Sequence, residues 1–327
     1  MRNKQLRNTS LIVIFILLAL ALPLIPSRFY KFVLALSVIN AIMAMGLHFI
    51  FGLTGQLFVG PAGFMGIGSY ILALGATRYG WGFWTSFVAA ALGVGLMGLF
   101  LGIPTLRLKR YYLAITTTGF AEITRFILMN WTQVTGGVFG IFNIPRPSIG
   151  GFVLHNDNHF YYFSLALAVI LGIIAVILED SKYGEAFRAV HDDELAVDAL
   201  GISSTRIKII AFVLCGIYIG LGAALYASFL TYISPEVFNV DMSYRFVTMI
   251  LIGGIGSLPG AIIGSVLLTF LPEMLRFLQV WYLAIYGLIV LVIIIYQPGG
   301  IMGGFQRIID RRRMLTPAKE DVSSGTS

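Results

Sequence analysis

The stretch DSKYGEAFRAVHDDELAVDALGISSTRIK, residues 180–208, decides how this chain is read. It carries ten charged residues. The run before it, FYYFSLALAVILGIIAVIL at 160–178, carries none, and neither does IIAFVLCGIYIGLGAALYASFL at 209–230. A hydrocarbon core needs roughly 20 consecutive apolar residues per helix, so both neighbours are long enough to span a membrane. The island between them is too polar to do so and must lie at one membrane face.

The rest of the chain repeats that pattern. Of its 327 residues, 58% are hydrophobic and 11% are charged, and the mean hydropathy is +0.89. Soluble domains carry about 25% charged residues, so a soluble protein is excluded. Barrel strands would alternate apolar and polar residues over ~10 positions. These runs are apolar on every side, and backbone buried in lipid must satisfy itself within a helix. The fold class is therefore an all-α integral membrane protein. Cys215 is the only cysteine, which leaves no intrachain disulfide or cysteine metal cluster. The run at 11–26 follows Arg2, Lys4 and Arg7 and ends in PLIPSRFYK without a small-residue cleavage site, so it reads as a retained helix.

About ten transmembrane helices are expected, near 11–26, 32–52, 61–79, 83–103, 111–130, 160–178, 209–230, 243–256, 261–278 and 281–297. With both termini cytoplasmic, 15 of the 22 Lys and Arg fall inside and six outside, the latter including Arg245 and Arg276. Arg125 remains within a helix. That bias follows the positive-inside rule, and it accounts for the net charge of +7 without nucleic acid. Residues 1–304 are expected to form a polytopic membrane domain, with the island 180–208 cytoplasmic and the loop 131–159 external. Residues 305–327 form a basic, then polar, cytoplasmic tail.

Within the island, residues 183–191 are good helix formers, with Phe187, Val190 and His191 toward one face. Asp192 is placed to cap a second helix, with Asp193 and Glu194 in its first turn, where carboxylates favour the dipole. Leu195, Ala196, Ala199 and Leu200 form an apolar stripe at helical spacing, and Gly201 stops the helix. Seven of the fifteen carboxylates lie between Glu179 and Asp198. A helix lying on anionic lipid would be rich in Lys and Arg. This one is net acidic, so docking in a partner's groove fits better.

EAFRAVHDDELAVDALGISSTRIKIIAF resembles the coupling segment of ABC-importer permeases of the branched-chain amino acid family, of the LivM type. Four further stretches look like the same family in the same order: GLTGQLFVGPAGFMGIGSY at 52–70, PTLRLKRYYLAITTTGFAEITRFILMNW at 104–131, ILIGGIGSLPGAIIGSVLLTFLPEMLR at 250–276 and YGLIVLVIIIYQPGGIMG at 286–303. The resemblance implies an importer of branched-chain or other small amino acids in the bacterial inner membrane. Its partners would be a second homologous permease, two ATPase subunits and a periplasmic binding protein. It implies Glu185, Arg188, Asp193, Glu194, Ala196, Ala199 and Gly201 as the ATPase-coupling set. The chain has no GxxxxGK[ST] phosphate loop, so ATP and Mg would sit on the partner ATPases and this chain would bind no cofactor.

Two glycine-rich breaks interrupt the membrane domain, GLTGQLFVGPAGFMGIGSY and GGIGSLPGAIIG. Small residues permit close helix packing; broken helices also line substrate sites. Thr54, Gly55, Gln56 and Gly63 of the first break are pathway candidates on that second reading. Glu122 is a further candidate, because ionisable groups in membranes are functional by default. Its spacing to Arg125, repeated by Glu273 and Arg276, favours a structural ion pair. Thr116, Thr117 and Thr118 are expected to bond back to their own helix. The four histidines have no metal spacing, and no catalytic grouping is evident, so the chain is not read as an enzyme. The alternatives are a permease for urea or short amides of the same family, and an ion-coupled secondary transporter using Glu122.

Overall fold

The computed structural model describes residues 27–105, 110–149, 152–154, 156–296 and 299–304, together with 11, 13–15 and 17. Most of the expected first helix, the basic segment 106–109 and the tail 305–327 lie outside these residues, as does the side chain of Arg276.

Helix α1 (Arg28–Leu47) continues as a π-helical stretch, His48–Leu53. There follow α2 (Pro61–Thr77), α3 (Phe83–Thr105), α4 (Arg110–Asn130), α5 (Asp157–Asp180), α6 (Lys182–Asp192), α7 (Glu194–Ala199), α8 (Ser204–Leu230), α9 (Val240–Gly253), α10 (Leu258–Leu275) and α11 (Tyr282–Tyr296). The fold is all-α. Two short antiparallel pairs stitch its loops: Ile141–Phe142 with Tyr232–Ile233, and Ser148–Ile149 with Phe152–Val153. Several helices begin before their apolar runs do, because polar caps supply the first hydrogen bonds. Asn156 accepts the Asn158 N–H at 3.0 Å, Ser203 that of Arg206 at 3.4 Å, and Asn239 that of Met242 at 3.0 Å.

Among the described residues, five helices are long and apolar enough to cross a membrane: α1 with its π-helical end, α3, α5, α8 and α10. Helix α1 is the axis. Every residue from 33 to 53 except Leu36 is buried, and α5, α8 and α10 pack round it. Glycines bring α8 onto α3. A Cβ at Gly216 or Gly98 would fall 2.4 Å from backbone of the facing helix, the close approach that small residues allow between membrane helices.

The expected helices at 61–79 and 243–256 are present as α2 and α9, shorter than the five long spans and each preceded by extended chain. Helix α2 has 17 residues and α9 has 14. The chain before α2, residues 54–60, is not a tight turn but an extended segment that climbs into the bundle. Phe58 meets Phe212 edge-on at 5.5 Å, eight residues and so about 12 Å along α8 from Ser204. The chain before α9 re-enters from the opposite end. Tyr232 and Ile233 pair with the α4–α5 loop, and Phe238 then reaches Tyr70 with ring centroids 6.2 Å apart. These two helices run antiparallel and meet near their starts, where the Ala62 N–H donates to Ser243 Oγ at 3.2 Å.

Candidate functional site

The first break is built from backbone that has left its helix. The Thr54 and Gln56 N–H groups still reach Phe49 O at 3.3 Å and Ile50 O at 3.1 Å, and the Thr54 hydroxyl also donates to Ile50 O at 2.7 Å. Gly55 then turns the chain at φ +65°. Thr117 of α4 bonds back to Leu113 O at 2.9 Å, as expected, and its hydroxyl also accepts the Val59 N–H at 3.0 Å. The break is thus held by a side chain from another helix. Gln56 is 9% exposed, and its Nε2 has no hydrogen-bond partner among the described residues. That is a donor pair held in a low-dielectric interior, where an unmet polar group is costly. Gly63 does something simpler: a Cβ there would crowd Phe120 and Ala121 of α4 at 2.9 and 3.0 Å.

The island folds as the two short helices α6 and α7. Asp193, not Asp192, caps the second: its Oδ1 accepts the N–H groups of Leu195 at 2.9 Å and Ala196 at 3.1 Å. Asp192 instead closes α6. Gly201, at φ +80°, ends the segment. Asp198 receives the Ser204 N–H and hydroxyl, each at 2.9 Å. These bonds hold its carboxyl below the usual carboxylate range, the backbone bond first. Glu194 pairs with Lys208. Val197 is buried against the bundle, while Leu195 and Leu200 are 80% and 79% exposed and Ala196 and Ala199 are exposed between them. Glu185 of α6 is exposed as well. Of the expected coupling residues, Asp193, Glu194, Arg188 and Gly201 shape the island; Ala196, Ala199 and Glu185 face outward from it.

Phe187 and Val190 of α6 are buried, as their spacing suggested, while His191 is exposed. Its ring nonetheless covers the first break, since a Cβ on Gly55 would lie 2.4 Å from it. A second link was missed in the sequence. Buried His48, at the start of the π-helical stretch, stands 3.7 Å from Glu179 at the end of α5, and Glu179 stands 3.8 Å from Arg188 of α6. Arg188 also donates to Glu179 O at 3.2 Å. The signal available was Glu179 itself, the first charge after an uncharged run; its partner His48 is 131 positions away and carries no local motif. The two glycine breaks also meet here: a Cβ on Gly52 would lie 2.6 Å from His48 Nδ1 and 3.1 Å from Gly256 N. The island, the end of α1 and both breaks form one contiguous cluster.

Glu122 lies apart from that cluster. Arg125 donates to its Oε2 through Nε at 2.9 Å and Nη2 at 2.7 Å, the self-neutralising pair that the spacing predicted. No group of three or more His, Cys, Asp or Glu side chains that could hold a metal occurs among the described residues.

Comparison with known proteins places these features in context. The family model for the permease component of branched-chain amino acid transport systems matches residues 29–295. The chain is 33% identical over 314 residues to the high-affinity branched-chain amino acid transport system permease protein LivM of Escherichia coli K12, covering 89% of this chain and 74% of that one. It is 28% identical over 278 residues to LivH of the same organism, covering 81% and 80%. The autoinducer 2 import system permease protein LsrC of Salmonella typhi is 26% identical over 237 residues, covering 68% and 65%. No solved structure matches the chain.

Proposed function

The chain belongs to the permease components of branched-chain amino acid transport systems, and from that membership we propose that it is the translocating subunit of an ATP-driven importer of leucine, isoleucine, valine and similar small amino acids. It works in the bacterial plasma membrane with about ten crossings, both termini and the island being cytoplasmic. Its partners are a second, homologous permease, two ATPases that hold ATP and Mg, and a substrate-binding protein on the outer face. Identity to both LivM and LivH supports a paired permease, since those two relatives carry distinct names within one transport system.

The observation that carries the reading is the outward apolar face of α7. A helix of six residues that exposes Leu195, Ala196, Ala199 and Leu200 has no reason to be ordered with that face in water. A groove on an ATPase covers it, with Glu185 at the rim. Movement of the docked island is then passed to the core by the contacts already described, through Arg188 and Glu179 to His48 and through His191 to Gly55. The end of α1 and the segment 54–60 respond, and α2 with them. Glu122 is neutralised by Arg125, which leaves it poorly suited to carry a coupling proton.

The test is ATP-driven uptake of labelled leucine, isoleucine and valine into proteoliposomes holding the chain with its co-encoded partners. Saturable uptake that needs ATP, persists without an ion gradient and resists competition by urea or acetamide supports the proposal. Uptake driven by a proton gradient alone overturns it.

A further inference from the structure

Helix α9 starts inside the membrane domain, and that changes what Arg245 means. In the sequence Arg245 reads as a charge at the outer membrane face. Its depth follows from two contacts. Ser69 Oγ donates to Ala223 O at 3.1 Å, seven residues or about 10 Å below the Leu230 end of α8. Ala62, another seven residues or about 10 Å further down α2, bonds Ser243. Arg245 lies two residues, about 3 Å, further along α9 and is exposed, so its backbone is about 20 Å below the outer end of α8, deeper than a side chain reaches by snorkelling.

Arg245 is not alone on that face. Asp241, Tyr244, Arg245 and Thr248 recur at helical spacing, and Asp241, Tyr244 and Arg245 are exposed. An acid four residues before a base is the favourable order for a helix ion pair, yet Asp241 and Arg245 make no ion pair or hydrogen bond with each other or with any described side chain. Two opposite charges one turn apart are therefore both without an ion-pair partner among the described residues at mid-membrane depth, with Tyr226 of α8 the described neighbour that feels the Arg245 charge. Lipid would not tolerate this face; water or another protein must cover it.

Resting on the importer reading above, we infer that this face of α9 is a wall of the translocation pathway and that Asp241 and Arg245 receive a zwitterion, with the α-ammonium of the amino acid at Asp241 and its α-carboxylate at Arg245. A guanidinium fits a carboxylate through two parallel hydrogen bonds. Separation of the two charges by one helical turn suits a ligand whose own charges lie close together. The second permease completes the pathway opposite α9, so the apolar side chain of the solute faces that partner.

The experiment measures kcat/KM for ATP-driven leucine uptake by the complete complex, with wild type beside Arg245→Gln, Arg245→Lys and Asp241→Asn. Because every variant uses the same binding protein, its selectivity cancels. Arg245→Gln is expected to lower uptake about tenfold or more with subunit ratio and ATP hydrolysis retained, Asp241→Asn to fall similarly, and Arg245→Lys to recover part of the loss. Wild-type uptake in Arg245→Gln overturns the inference, as does loss in Arg245→Lys equal to that in Arg245→Gln, or a complex that no longer assembles in either. A wild-type complex that imports no leucine instead overturns the importer reading itself.

Discussion

Gln56 and Glu122 are the two polar side chains of the membrane domain that ask most plainly for a role, and their surroundings separate them. Gln56 Nε2 is buried without a partner among the described residues, so replacing it with leucine of similar size removes a desolvated donor and creates none. Gln56→Leu should leave assembly and thermal stability unchanged or slightly raised, by up to about 1–3 kcal/mol, while leucine uptake falls. Wild-type uptake by the assembled variant would reduce the first break to a packing feature. Glu122 behaves oppositely. Glu122→Gln leaves the Arg125 guanidinium without its carboxylate inside the membrane domain, so thermal stability of the purified complex should drop while uptake per assembled complex is kept. Replacing both residues with leucine should recover most of that loss, since removing a whole ion pair costs less than breaking it. A Glu122→Gln complex that is stable but inactive would reverse the assignment.

At the scale of elements, the long helices were legible because a run of apolar residues has only one way to satisfy its backbone in lipid. Their starts were not, since Asn156, Ser203 and Asn239 act through single hydrogen bonds just outside the apolar runs. The break before α2 was legible from Gly55 and Pro61, but the path of residues 54–60 was not: they run extended instead of turning, held by acceptors on α4 and α9, Thr117 and Ser243, which no local pattern announces. The island was read well because its helices are short, capped and amphipathic, even though the cap moved by one residue to Asp193. Its outward face yields one prediction: Ala196→Asp should permit insertion and permease pairing but lower uptake and ATPase co-purification, because the groove would have to desolvate an unpaired carboxylate. Normal transport by Ala196→Asp would mean that the ATPase docks elsewhere. Asp198 yields another. Its carboxyl is held below the usual range by Ser204, so its stabilisation is complete above the ordinary value near 3.9 and is lost as pH falls through the lower folded value. Protection of the amides at 194–204, relative to their intrinsic exchange rates, should fall below about pH 4, and Asp198→Asn should show low protection at every pH with no such step.

Across the whole molecule, the proposed coupling runs along two routes that join the island to the core. One runs from Arg188 through Glu179 to buried His48; the other is the ring of His191 laid on Gly55. Both end within the seven residues between His48 and Thr54 or immediately beyond them, where α1 changes from α to π geometry and then stops. A π-helical stretch is a frequent mark of a functional site, and here it is the part of the most buried span among the described residues that touches the island. If the island moves as a rigid body, the two routes must act together. Glu179→Gln removes the charge that faces both Arg188 and His48, while keeping the shape of the side chain. Gly55→Ala places a methyl group at φ +65° against His191 and shifts the second contact. Each change should leave the ATPases bound and hydrolysing, yet lower the leucine imported per ATP several-fold. Because both act on one moving part, the double variant should be scarcely worse than the poorer single one; independent sites would instead multiply their losses. Measuring uptake and hydrolysis on the same proteoliposomes for the four members of the cycle decides between these outcomes. Multiplicative losses, or a normal ratio in Glu179→Gln, would mean that the island drives the permease by some contact other than the end of α1.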